Sequence, residues 1–248
     1  MRERHAPVIY TPARVEGWAR RPAASYAGFV FSSDFQRCAI RSLPTFWHRV
    51  GRLVEARSIF TAVRDAAPEC DSALSNLAQI HAVQREPQAA IVLYEKAQRR
   101  DIGAPSASLL ALQARAHFDA GSLIDARRVL SRALYQRPNH LGTRYNLAAV
   151  LYRSAKPPRN GPPRSLAAIN TAASNVAIAI AKLDVIRDLL DVQEADWDGA
   201  GAGGVTAARV ASLRGRCLTL QTDIEEEQKE AELRTIAQVE AQRIADER

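Results

Sequence analysis

A chain of 248 residues with 47 % apolar content can bury a sizeable core as one or two domains, and an aromatic share of only 6 % beside abundant Ala favours close contacts between helices. Cys38, Cys70 and Cys217 are too few and too scattered for a disulfide framework or a paired CxxC metal site, which points to a reducing compartment, and the apolar runs are read as shorter than the roughly 18 residues of a membrane span, so a soluble chain is expected. The formal charge of +7 comes from 30 Arg and 4 Lys, but residues 223 to 248 alone carry −5 and leave +12 elsewhere, a balance that suits an acidic partner or nucleic acid and equally follows from GC-rich coding.

Residues 1 to 43 show no sustained period of 3.6 or 2 and mix Pro7, Pro12 and Pro22 with isolated aromatics, so they read as poorly ordered. A wrongly assigned first exon is the other reading of this segment, and an organelle transit peptide a third, weakened by Glu3 and Glu16. Pro44 falls where the first helix of an opening repeat would need a backbone donor, so that repeat looks beheaded.

From 44 to 155, helices alternate with turns marked by Gly51, Pro87, Gly121 and Pro138. Counting Asp71 as position 1, Leu74, Leu77, Ala78, His81, Ala90, Tyr94 and Ala97 fall at positions 4, 7, 8, 11, 20, 24 and 27. Counting again from Ala107, the same offsets give Leu110, Ala114, His117, Ala126, Leu130 and Ala133, with Gly121 at position 15 and Pro138 at 32. Gly51, Ala56, Phe60, Val63 and Pro68 supply the second half of an earlier unit, and Leu141 to Ala155 the first helix of a later one. This is the tetratricopeptide (TPR) spacing of roughly 34 residues, in which small residues at 8 and 20 let two antiparallel helices approach and a large residue at 24 fills the gap to the next unit. A few extra residues from Ile102 to Ser106 lengthen one turn between units.

Residues 156 to 164 hold four prolines and a glycine within KPPRNGPPRS and form an inserted loop inside the last unit. Ser165 then caps a helix over 165 to 193 whose stripe is Leu166, Ile169, Ala173, Val176, Ile180 and Leu183. The Gly- and Asp-rich stretch 194 to 204 is a linker, and 205 to 248 reads as one long charged helix. Its seam of Val210, Leu213, Cys217, Leu220 and Ile224 is expected to dock on the array, while the later, charged half projects away. The fold class is therefore all-α: a TPR-type helical-repeat solenoid followed by a long C-terminal helix.

Catalysis needs convergent polar groups, and the sequence holds no Gly-rich phosphate loop, His-Glu-x-x-His, Ser nucleophile elbow or kinase signature. No catalytic, cofactor or metal residue is assigned, and the chain is read as non-enzymatic. His81 and His117 occupy a packing position, and Glu225, Glu226, Glu227, Glu230 and Glu232 read as a solvated helix face. Binding in such arrays uses first-helix positions 2, 5, 9, 12 and 13, which include Ser72, Ser75, Gln79 and Asp119. The groove candidates are Arg115, Phe118, Tyr145, Tyr152 and Arg153, because Arg and aromatic side chains anchor interfaces. Asn76 and Asn146 are present, but the lysines that a carboxylate-clamping groove needs are not.

In order and spacing, GRLVEARSIFTAVRDA (51 to 66), SNLAQIHAVQREPQAAIVLYEKAQRR (75 to 100), ARAHFDAGSLIDARRVLSRAL (114 to 134) and YNLAAVLYRSA (145 to 155) resemble the late repeats of the large TPR scaffold subunit of the polymerase-associated factor (PAF) complex. AARVASLRGRCLTLQTDIEEEQKEAELR (207 to 234) is similar to the long helix and charged tail that follow the array in that family. The resemblance implies a nuclear scaffold that contacts other PAF subunits and RNA polymerase II during transcription elongation and cotranscriptional histone modification, without a cofactor, a small-molecule substrate or a membrane. It covers the late repeats and the following helices only, and the runner-up reading is a generic TPR adaptor that holds a peptide in its concave groove near Arg115 and Arg153.

Overall fold

A computed structural model describes residues 53–66, 71–100, 106–158, 162–193 and 205–247. Among them are eight α-helices and no strand: α1 (Leu53–Ala66), α2 (Asp71–Val83), α3 (Pro87–Arg100), α4 (Ala107–Asp119), α5 (Leu123–Gln136), α6 (Leu141–Ala155), α7 (Leu166–Gln193) and α8 (Ala207–Asp246). They fall into two compact units, α1 to α3 and α4 to α8. The segment 1 to 43, Pro44, the lengthened turn before Ser106 and the linker 194 to 204 lie outside the described residues.

In the first unit α2 pairs with α3 as a helical hairpin, and α1 packs on α2 as the second helix of a preceding pair. The TPR positions that fall among the described residues here are buried: Ala56, Phe60 and Val63 on α1, Leu74, Leu77, Ala78 and His81 on α2, Ala90, Tyr94 and Ala97 on α3. Ala78 and Ala90 are both fully excluded from solvent, as helices that touch through small residues require. Burial raises the Tyr94 phenol far above its ordinary range.

The α2–α3 turn closes with the Glu86 amide donating to the His81 carbonyl at 2.9 Å, and the α4–α5 turn repeats this with the Ser122 amide on the His117 carbonyl at 2.9 Å. Both are helix C-caps that need one residue in the left-handed region. The second uses Gly121 at φ 82°, whereas the first uses Arg85 at φ 65°, which costs an L-residue about 1 kcal/mol. The His81 ring Nδ1 and a Glu86 carboxylate oxygen lie 2.5 Å apart, with Arg57 of α1 at 3.6 Å from the other oxygen. The hydrogen bond with His81, reinforced by the Arg57 charge, holds the Glu86 carboxyl below its ordinary range.

In the second unit α4 pairs with α5, α5 packs on α6, α6 pairs with α7, and α8 lies mainly along α7 with an edge on α6. Leu110, Ala114, His117, Ala126, Leu130 and Ala133 are again buried. Helix starts in this unit carry side-chain acceptors: Ser106 for the Leu109 amide at 3.3 Å, His140 Nδ1 for Thr143 at 3.1 Å, and Thr206 for Arg209 at 3.3 Å. Ser165 does the same for the Ala168 amide at 3.3 Å ahead of α7. The solvent-free centre of α7 is Ile169, Ala172, Val176, Ala179, Leu183 and Ile186, while Leu166, Ala173 and Ile180 are only partly covered. The stripe is turned from the one expected because α7 packs on two sides, against α6 and α8.

One expectation is corrected here. Leu166–Leu190 is a helical stretch of 25 residues with mean hydropathy 1.4, long and apolar enough to cross a membrane by length and composition. Asn170, Ser174, Asn175, Lys182 and Asp184 interrupt it too sparsely to lower the average, yet often enough that no long unbroken apolar run shows in the sequence. It packs between α6 and α8, with Asn175 accepting from Arg127 Nη1 at 3.2 Å and Asp184 from Arg214 Nε at 2.7 Å, and 33 % of its apolar window is buried.

Together these hairpins define an all-α protein of TPR type with a long C-terminal helix.

Candidate protein-interaction surface

The five groove candidates divide into two sets. On α4, Arg115 is exposed and its guanidinium holds Asp119 one turn on, at 2.9 Å. Phe118 is half-buried against the core of the second unit. Neither forms a hydrogen bond, ion pair or ring contact with the α6 candidates among the described residues. Phe118 is thus chiefly a packing residue, and Arg115 a solvated ion pair.

On α6, Tyr145 and Tyr152 stand seven residues apart on one face and are half-buried, with Arg153 exposed beside them. The sequence suggests open groove residues, but the structure covers both rings with cations from α8. Arg209 lies over the Tyr145 ring at 5.6 Å from its centroid, Arg216 over Tyr152 at 5.3 Å, and Lys156 approaches Tyr152 at 4.8 Å. The matching spacing of the tyrosines and arginines means that α6 and α8 run in the same direction along this face. Two turns of helix separate the two Tyr–Arg pairs by about 10 Å.

This face carries no acid of its own. The whole of α6 and α8 from Ala207 to Thr222 contain Arg144, Arg153, Arg209, Arg214 and Arg216 but no Asp or Glu. Arg214 is held by Asp184 of α7, and Arg144 donates to the Pro138 carbonyl at 2.7 Å. Arg153, Lys156 and Arg216 are exposed and make no ion pair among the described residues.

α8 stays in place through its apolar seam and two part-buried ion pairs, Arg214 with Asp184 of α7 and Arg164 with Glu227. Val210, Leu213, Cys217, Leu220 and Ile224 are all buried, as the seam requires, and Ala231 extends it by two turns. Burial also pushes the Cys217 thiol up, against a smaller opposing effect of Arg216. Arg164, in the loop before α7, donates from Nε to Glu227 Oε1 at 3.0 Å and from Nη2 to Oε2, while its Nη1 reaches the Ala155 carbonyl at 2.8 Å. That guanidinium ties together the end of α6, the proline-rich loop and α8, and its hydrogen bond holds the Glu227 carboxyl below the usual range. Glu227 is therefore not part of a solvated acidic face, as the run of acids suggests. Sixty-three residues separate the partners, so no local pattern could have shown the pair.

Beyond Ala231 the seam stops, and apolar residues return on another side. At 100° per residue, Leu233, Ile236 and Ile244 fall within a sector of about 80° centred roughly half a turn from the buried seam. They are 67 %, 56 % and 51 % exposed. Among the described residues no group of three or more His, Cys, Asp or Glu side chains converges.

No protein-family model matches the chain. Several solved structures show a partial likeness to it. MamA is 16 % identical, covering 75 % of this chain and 95 % of its own with a TM-score of 0.43. YrrB, described as a TPR protein with an unusual peptide-binding site, is 12 % identical over 85 % of this chain and 99 % of its own, with a TM-score of 0.45. A TPR repeats protein from Bacteroides fragilis is 12 % identical over 79 % of this chain and 97 % of its own, with a TM-score of 0.42. The buried repeat positions of the chain itself, rather than these likenesses, define its TPR class.

Proposed function

We propose that the chain is a non-enzymatic protein-interaction scaffold that holds a segment of its partner along the face shared by α6 and the first half of α8. The carrying observation is that Tyr145 and Tyr152 are fixed between the two helices while Arg153, Lys156 and Arg216 remain exposed beside them. Rigid aromatic rings rimmed by cations are the composition of interface anchors. Affinity purification of the tagged full-length chain from its own cells tests this. A set of co-purifying proteins lost on Arg153→Glu is expected; an unchanged set with that variant removes the α6 face from the proposal.

The ordered likeness of the repeats to the PAF-complex scaffold subunit supports a narrower reading, in which the partners are PAF subunits and RNA polymerase II in the nucleus. The observation that favours it is α8 itself, whose 40 residues extend about 60 Å and whose distal half leaves the docked seam, as a partner-reaching helix would. Enrichment of polymerase and PAF subunits in the same purification is the expected result, and their absence removes this narrower reading while leaving the scaffold.

A further inference from the structure

Resting on the scaffold reading, we infer that the α6–α8 face takes the acidic distal half of α8 from a second copy of this chain. That half presents Leu233, Ile236, Glu240 and Ile244 on one exposed side, with Glu240 inside the apolar sector and in no ion pair among the described residues. The receiving side is Tyr145, Tyr152 and Lys156, with Arg216 over the Tyr152 ring and Arg153 next along α6. Tyr152 and Lys156 follow Tyr145 by seven and eleven residues, and Glu240 and Ile244 follow Leu233 by the same steps. Each strip is thus about 16 Å long. Two helices laid in parallel with Leu233 on Tyr145 bring Glu240 to Tyr152, where Lys156 and Arg216 already stand.

Charge complementarity selects this occupant. Residues 223 to 248 hold nine acids against four bases, while α6 and the first half of α8 hold cations and no acid. A cation seated on a ring keeps its N–H edge for a carboxylate, and the apolar residues on either side of Glu240 cover the exposed parts of the tyrosines. The two surfaces cannot meet within one copy. α8 is one helix from Ala207 to Asp246, so Arg216 and Glu240 are held about 36 Å apart along its axis, and the acidic half reaches only the face of another molecule. Such a contact joins two different surfaces, so a bound pair keeps one free face and one free tail and grows by addition. One helix width over three turns is less than a permanent interface buries, so the contact is reversible and the chain is a monomer when dilute.

The test is sedimentation equilibrium of the purified full chain between about 1 and about 200 µM, a range suited to a contact of that size. The mean mass should rise above that of the monomer with concentration and fall back in about 0.5 M salt, which screens surface charge. Two double variants, checked for unchanged helicity, should each associate at least tenfold more weakly: Lys156→Glu with Arg216→Glu on the face, and Ile236→Ser with Glu240→Gln on the tail. Mixed one to one, they should form a complex of two chains and no more, because the first keeps its tail and the second its face. A wild-type mass that stays at the monomer, or a mixture that does, overturns the inference. So does undiminished association of the face variant, which would show the distal halves pairing with each other. The scaffold reading fails separately, as an unchanged set of co-purifying proteins with Arg153→Glu.

Discussion

The two halves of α8 are one unbroken helix with opposite relations to the rest of the second unit. From Val210 to Ile224 the apolar residues return at alternating spacings of three and four and are wholly buried against α6 and α7. Further on, Leu233, Ile236 and Ile244 sit about half a turn away and are exposed, Thr235, Gln238 and Gln242 continue the line of the old seam, and Val239 at the edge of that line is left alone and exposed. Gly215 faces open space, with nothing within 4 Å of where a Cβ would sit, and does not interrupt the helix. The lesson is that docking follows the phase of the apolar residues, not their number: a shift of phase releases the helix from the body without breaking it.

Substitutions sharpen that contrast. Leu213→Ala removes a side chain that is 1 % exposed and should cost about 3 kcal/mol, whereas Leu233→Ala should stay within about 0.5 kcal/mol, both read from urea unfolding of the full chain. Equal effects would mean that the distal half is packed in solution. Arg164→Ala should destabilise by about 2 kcal/mol, since it strips Glu227 and the Ala155 carbonyl of their donor at the last buried stretch of the seam.

The same contact has a pH signature. Glu227 titrates below its unfolded value, so its contribution is present above the ordinary carboxylate pKa and is lost as pH falls through the lowered folded one. Glu86 behaves alike in the first unit. Acidification from pH 6 into the range below about 4.5 should therefore lower the melting temperature, and less so in Glu227→Gln, with unfolding followed by circular dichroism.

A chemical probe of the contrast is thiol labelling. Cys217 is buried and its thiol is raised, so it should react with a thiol reagent only as fast as α8 opens, while a cysteine from Leu233→Cys should label at least tenfold faster. The smallest effect expected is in the hairpin turns. Gly121→Ala should destabilise by about 1 kcal/mol through its backbone alone, because nothing lies within 4 Å of the added methyl group, and Arg85→Gly should stabilise by a smaller amount.

The TPR class was legible because its signal is local: Ala at positions 8 and 20 and bulk at 24 recur within each hairpin, and the burial of Ala78, Ala90 and Tyr94 follows from that spacing. The α8 seam was legible for the same reason. Position 15 was half legible, since Gly121 announces a left-handed turn and Arg85 hides one. What was not legible depends on pairs far apart in the chain. Arg209 and Arg216 reach Tyr145 and Tyr152 only because α8 takes the place beside α6 that the first helix of another repeat would occupy. Arg164 and Glu227 are joined by the same packing. Tyr145 and Tyr152 therefore read as open groove residues in sequence and as shared ones in the fold.

In a linear stack each hairpin draws stability from the neighbour on either side. The α6–α7 hairpin has α5 on one flank and α8 on the other, so it is an interior layer although no further repeat follows it in this unit. Opening α8 turns it into an edge layer and uncovers the seam-facing side of α7. The order of loss on warming is then set from the α8 side inward, and the protection of α6 and α7 amides becomes a gauge of whether the last helix is seated.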